Sequence, residues 1–239
     1  MWDADEEFFY DLTRNGERTT IKTIAAYWVL LAGIATPAQA DALVAELHNP
    51  GTFGRPHRVP TLAADQSGYD KNGGYWRGAV WAPTETMIIR GLERYSRYDL
   101  ASEIALEHLQ HIATVFENTG TVWENYSAEI IAQGKPAKPD FVGWTGIGPI
   151  LYLFEFAIGI KADAIENRIV WTVNSPQRVG ISKFWFGDKT VNLFCEAADR
   201  NGKRTLRISS SESFTLTVLW NGTQTRIEVP AATEIMQQI

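Results

Sequence analysis

The period of the apolar pattern changes near Asn167, and that change limits the folds open to this chain. Before it, apolar residues recur at helical spacing in blocks separated by long loops; after it, short runs alternate with a period of two. Thr19 to Gly33 is apolar nearly all round, as expected of a helix inside a layered bundle. Thr36-Pro37 pairs a capping residue with proline at the first helical position. It opens a helix to about Leu47 that Asn49-Pro50-Gly51 stops. Further helices are predicted from Pro83 to about Tyr95, from an Asp99 cap to Asn118 with Gly120 as the stop, and from about Gly148 to Ile160.

Arg168 to Val173, Ser182 to Phe186, Thr190 to Glu196, Arg204 to Ser210, Phe214 to Trp220 and Thr225 to Val229 read as strands. Asn201-Gly202 and Asn221-Gly222 read as two-residue hairpin turns. The predicted architecture is mainly α. Residues 1–166 form an array of helical hairpins, and residues 167–239 form a small antiparallel β domain packed on the helices.

A net charge of −6 argues against nucleic-acid and anionic-membrane partners. The apolar runs Ile24–Ala35 and Ile147–Ile160 are too short to span a bilayer and read as buried helices. The acidic opening Met1 to Glu7 does not resemble a signal peptide, so the chain as it stands is expected in the cytoplasm. The one cysteine, Cys195, lies in an alternating segment and is expected to be a buried thiol. Of four histidines, His108 and His111 are three apart on a helix, but no further His or Cys completes a metal set. No metal and no cofactor are expected.

The chemistry concentrates in two loops. The first carries Gly73-Gly74-Tyr75-Trp76-Arg77-Gly78-Ala79-Val80-Trp81-Ala82-Pro83-Thr84. The second carries Thr121-Val122-Trp123-Glu124-Asn125-Tyr126-Ser127 and then Pro139-Asp140-Phe141-Val142-Gly143-Trp144. Enclosure by Trp123 and Tyr126 desolvates Glu124, which suits a carboxylate to proton transfer; a capping or surface role stays open. Tyr75, Trp76, Trp81, Trp123 and Trp144 can stack on the weakly apolar faces of a sugar. Asp65, Arg77, Asn125, Lys138 and Asp140 can meet its hydroxyls. Arg77 can equally form a structural ion pair, and half of the rings can equally be core. Trp28 and Trp171, on regular elements, are expected in the core.

Tyr75-Trp76-Arg77-Gly78-x-x-Trp81-x-Pro83-Thr84 resembles a segment of the glycoside hydrolase clan that holds family 63, trehalases and mannosylglycerate-hydrolase-like enzymes. So do Trp123-Glu124-Asn125-Tyr126, Asp140-Phe141-Val142-Gly143-Trp144 and the opening Trp2 to Asp11. The resemblance implies a partial (α/α)6 barrel and an inverting reaction. In such a reaction one carboxylic acid protonates the leaving oxygen and one carboxylate activates water. It implies that Glu124 is the base, and that Tyr75, Trp76, Arg77, Trp81, Trp123, Tyr126, Asp140 and Trp144 bind a small oligosaccharide or glycosylated solute. The family's acid lies upstream of Trp2-Asp3. The chain is therefore expected to carry the base without the acid, and to join the earlier barrel half or self-associate through apolar faces. The alternative is a non-catalytic carbohydrate-binding or scaffold remnant. Relatives carry Asn where this chain has Glu85.

Overall fold

The computed structural model describes residues 1–239, which divide into two compact units, Met1–Leu151 and Tyr152–Ile239. No helix is long and apolar enough to cross a membrane.

The first unit opens with a two-strand hairpin, β1 (Trp2–Asp3) against β2 (Phe8–Phe9). Asp3 Oδ1 accepts the Asp5 and Glu6 amides at 2.9 and 3.1 Å, and Arg18 pairs with the same carboxylate. The Glu6 amide holds the Asp3 carboxyl below the usual carboxylate range. Four helices follow: α1 (Trp28–Ala32), α2 (Pro37–His48), α3 (Ala82–Arg94) and α4 (Tyr98–Thr119). α2 starts on a full capping box between Thr36 and Gln39, with Pro37 in the first turn, and α4 ends at left-handed Gly120. Asp99 does not cap α4; it lies in the first turn, where its charge suits the helix dipole. Phe8, Tyr27 and Phe53 form an aromatic core beneath the hairpin.

The mainly α, partial (α/α)6-barrel prediction is overturned. About as many residues lie in strands as in α-helices, and more than half of the chain lies outside both. The predicted helix from Thr19 shrinks to a 3-10 turn, Ile24–Tyr27, and five residues of α1. The segment before it pairs with a loop instead. Thr23 bridges Leu62, the Ile24 amide bonds Thr61 O at 3.1 Å, and the Ala63 amide bonds Lys22 O at 3.0 Å. Trp28, expected in the core, is 53% exposed. The last predicted helix is a π-helix, Ile147–Ile158, and is not wholly buried, since Ile150 and Leu153 are exposed.

The second unit is a two-sheet sandwich. Strands β3 (Ile160–Asp163), β4 (Arg168–Thr172), β8 (Phe214–Trp220) and β9 (Thr223–Val229) form one sheet in the order β3-β4-β8-β9. Strands β5 (Val179–Phe186), β6 (Lys189–Cys195), β7 (Thr205–Ser210) and β10 (Glu234–Gln238) form the other in the order β10-β7-β6-β5. The prediction of an antiparallel domain is corrected by one pair: β4 and β8 run parallel. The inner faces share a core of Trp171, Phe186, Val191, Leu193, Leu206, Ile208, Leu216 and Val218. The alternation that marked the strands is the alternation of inward and outward faces. Cys195 lies in this core, and burial pushes its thiol up. Asn221-Gly222 is the predicted two-residue turn, with both residues at positive φ. Asn201-Gly202 is not: it sits in a longer loop that Asp199 closes by accepting the Asn201 and Lys203 amides.

Candidate active site

The two chemistry-bearing loops of the first unit meet through a two-residue bridge. The Val80 amide bonds Tyr126 O at 2.9 Å and the Tyr126 amide bonds Val80 O at 3.0 Å. The aromatic segment is thereby locked to the segment carrying Glu124. Upstream of the bridge, Gly74 and Tyr75 both hold left-handed backbone, and the 3-10 turn Tyr75–Arg77 follows. A tyrosine at positive φ is a strained position that its surroundings must enforce. Tyr75 O accepts the Ala79 amide at 3.1 Å and Trp81 Nε1 at 3.3 Å.

Glu124 is 4% exposed. Its backbone is held on both sides: its amide donates to Lys138 O at 2.9 Å, and its carbonyl accepts Trp144 Nε1 at 3.2 Å and Thr145 Oγ1 at 3.4 Å. Thr145 Oγ1 also donates to Trp123 O at 2.7 Å. The carboxylate accepts from the Tyr75 hydroxyl at 3.3 Å. Burial and the nearby Glu124 charge both push the Tyr75 phenol up, so it stays a donor.

The rings form a stepped group. Trp76 and Trp81 stack at 4.2 Å and 4°, Tyr75 meets Trp81 edge-on at 4.7 Å, and Trp144 meets Trp81 edge-on at 5.5 Å. Trp76 and Trp144 keep 48% and 39% of their surface open, while Trp81 is fully buried beneath them. Trp123 turns its Nε1 to Thr119 Oγ1 at 3.0 Å. Tyr126 is buried, with its hydroxyl accepting the Trp123 amide at 3.1 Å.

The remaining predicted residues lie at the margins. Arg77 is exposed and reaches Asp70 at 3.5 Å. Asp140 is exposed, and its Oδ1 accepts from the Thr121 hydroxyl at 2.8 Å. Asp65 lines a separate polar recess of about 300 Å³ with Asp3, Tyr10, Arg18 and Lys22. Asn125 is fully buried. Its Nδ2 donates to Pro136 O at 3.2 Å, and its Oδ1 has no partner.

Two groups bring together residues that the sequence does not place side by side. Glu129 takes Arg55 in a forked ion pair, with Nε at 2.9 Å and Nη2 at 2.6 Å, and accepts Tyr69 Oη at 2.6 Å. Arg55 holds the Glu129 carboxyl below its usual range, and burial pushes Tyr69 up. The second group is a buried imidazole cluster. His57 Nε2 lies 2.9 Å from His108 Nδ1, which also contacts the Glu85 carboxylate; His111 stacks on His57 at 3.9 Å. Burial pushes Glu85 well up and His57 well down, and it lowers His108 to about 3 and His111 to about 4. Tyr126 packs its ring against all three histidines. The expectation that nothing joins His108 is thus corrected: His57 and Glu85 converge on it. The helical spacing of His108 and His111 was the only visible signal, because the partners come from other segments.

A sequence model of the mannosylglycerate hydrolase MGH1-like glycoside hydrolase domain matches residues 1–132. The chain belongs to this family. Among its relatives, a Borreliella burgdorferi protein is 24% identical over 97% of this chain and 51% of its own length. The mannosylglycerate hydrolase of Thermus thermophilus is 30% identical over 46% of this chain and 26% of its own. The structure of neutral trehalase from Saccharomyces cerevisiae superposes with a TM-score of 0.53 at 25% identity, covering 64% of this chain and 27% of that one. This MGH1-like chain spans about half the length of the Borreliella protein and less of the enzymes. Trp76, Trp81 and Glu124 all lie inside the matched residues.

Proposed function

We propose that this MGH1-like chain supplies the base and one wall of the sugar site of an inverting glycosidase that acts on small glycosylated solutes or oligosaccharides. The observation that carries the reading is the Val80–Tyr126 bridge, which sets the Tyr75–Trp81 rings beside a buried Glu124 whose backbone is pinned and whose carboxylate meets a phenol donor. Glu124 is the residue that takes the proton of the attacking water. Trp76 and Trp144 offer their open faces to the sugar with Trp81 packed against both, Trp123 and Tyr126 hold the Glu124 segment against Ile112 and Val115, and Arg77 and Asp140 are exposed at the margin.

Inversion needs a second carboxyl group about 6.5–9.5 Å from the first. Glu129 is engaged by Arg55 and Tyr69, Asp70 by Arg77 and the Asn72 amide, and Asp140 by Thr121, while Asp65 lines another recess. We therefore assign the acid to sequence outside residues 1–239, joined covalently or as a second chain. The test is sugar release from mannosylglycerate, trehalose and aryl α-glycosides, by the chain alone and by the chain with its upstream sequence. Activity only in the second sample, lost in Glu124→Gln, supports the reading. Activity from the chain alone overturns the assignment of the acid. Sugar binding without turnover in either sample favours the binding-protein alternative.

A further inference from the structure

The imidazole cluster presents a proton-counting conflict. His57 Nδ1 lies 3.2 Å from Ser127 O, and a carbonyl only accepts, so the His57 proton sits on Nδ1 and the Nε2 lone pair faces inward. That lone pair meets His108 Nδ1 at 2.9 Å, and the same Nδ1 contacts Glu85 Oε2. One nitrogen carries at most one proton. If His108 Nδ1–H donates to His57, a protonated Glu85 has no acceptor there and an ionised Glu85 has no donor of its own. If Glu85 donates to His108 Nδ1, two imidazole lone pairs face each other. Glu85 is 1% exposed and has no donor in bonding geometry on either oxygen. No arrangement of two-centre hydrogen bonds satisfies all three groups, and a buried carboxylate left to share one proton with an imidazole is poorly compensated.

We propose that His57 Nε2, His108 Nδ1 and the Glu85 carboxylate form a binding site for a divalent first-row transition ion of the zinc class. Two imidazoles and one carboxylate are donors such an ion takes. The three ligand atoms lie within 4.8 Å of one another. Zinc–nitrogen bonds of about 2.0–2.1 Å ask the two nitrogens to part by only a few tenths of an ångström. The Ser127 carbonyl on His57 Nδ1 is the outer hydrogen bond that fixes the tautomer and orients a ligating ring. The ion ties α3, through Glu85, and α4, through His108, to the loop at His57. His57 in turn holds the Glu124-bearing loop at Ser127 O and, through its amide, at Ala128 O at 2.9 Å. The site is structural and needs no part of the proposed hydrolysis.

The purified chain is refolded with cobalt(II) or zinc, desalted and assayed for bound metal, for the visible ligand-field absorption of tetrahedral cobalt, and for its unfolding midpoint. The expected result is stoichiometric metal, a tetrahedral cobalt spectrum and a midpoint that a strong chelator lowers. Glu85→Gln is expected to weaken uptake at least about tenfold, and His48→Gln, which removes the one histidine outside the cluster, to leave it unchanged. A wild-type chain that folds and takes up no metal overturns the proposal, whatever the variants do. Uptake that Glu85→Gln leaves intact but His48→Gln abolishes also overturns it, since the ion then sits on the surface.

Discussion

Glu85 and Glu124 are buried to nearly the same degree, at 1% and 4% exposure, yet what surrounds their carboxylates differs, and the roles proposed for them differ accordingly. Glu124 sits on irregular backbone that is held by the Lys138 carbonyl, Trp144 Nε1 and Thr145 Oγ1, while its carboxylate meets one phenol. The loop fixes the residue and leaves the acidic group available. Glu85 lies in the first turn of α3, where the helix dipole favours a negative charge, and one of its carboxylate oxygens contacts the His108 imidazole. Burial alone does not distinguish a group that handles protons from one that holds structure; what meets its oxygens does.

The largest expected effect separates the two directly. In the protein joined to its upstream sequence, Glu124→Gln is expected to lower turnover by about 10²–10⁴, the span of general acid–base catalysis. Gln keeps the shape of the side chain and still accepts from the Tyr75 hydroxyl, so the unfolding midpoint is expected to change far less than turnover. Sugar release and denaturant unfolding on the same preparation check both halves. A Glu124→Gln protein that unfolds early but keeps its turnover makes Glu124 the structural glutamate.

A pair of glycines sharpens the contrast. A methyl group at Gly134 would lie 1.9 Å from Asn125 Oδ1, and one at Gly148 would lie 2.7 Å from Ile112 Cδ1 and 3.1 Å from His108 Cδ2. Overpacking of this kind costs about 1–3 kcal/mol. Gly134→Ala pushes on the residue next to Glu124 and is expected to lower both stability and turnover. Gly148→Ala pushes on the imidazole cluster and is expected to lower stability and metal uptake. Equal losses of turnover in both variants would show that the two regions are not separable.

The Arg55–Glu129 pair gives a pH test nearby. The folded Glu129 carboxyl titrates below its unfolded value, chiefly through Arg55. The stability it contributes is therefore present above the ordinary glutamate range, near pH 4.5, and is lost as pH falls through the folded value. With both partners partly exposed, solvent screening limits the contribution at neutral pH to about 1 kcal/mol. Glu129→Gln is expected to lower the midpoint at pH 7 and to flatten its fall as pH drops below about 4.5, relative to wild type, in unfolding curves taken across the acid range.

The elements most legible in the sequence are those whose cause is local. Thr36-Pro37 with Gln39 encodes its own cap, and Asn221-Gly222 its own turn. The helix expected from Thr19 failed because Thr23 finds a better partner in Leu62, a choice that no local window contains. The parallel β4–β8 pair was invisible because alternation assigns a residue to a face and not a strand to a neighbour. Glu124 and the Trp76–Trp81 segment could be read because aromatic rings, glycine and carboxylate crowd into short loops. Glu85, His57 and His108 could not, since the two histidines lie 51 residues apart and only the fold brings them together.

The smallest expected effect tests which face of the ring group meets the ligand. Trp76 is half open and stacks on Trp81, so Trp76→Ala removes one stacking contact, about 0.5–1.5 kcal/mol, and uncovers a second indole. Trp144 is less open, and its Nε1 holds the Glu124 carbonyl. If Trp76 is a sugar platform, Trp76→Ala weakens sugar binding by about tenfold and leaves turnover at saturation unchanged, because it contacts substrate and transition state alike. Trp144→Phe keeps a ring but loses the hydrogen bond. It is expected to lower turnover at saturation more than it weakens binding, since the Glu124 backbone is then held only by Lys138 and Thr145. The two variants separate contact with the ligand from placement of the proposed base. Titration calorimetry with steady-state kinetics resolves that division. If Trp76→Ala and Trp144→Phe change binding and turnover in the same proportion, the open rings and the Glu124 support act as one unit.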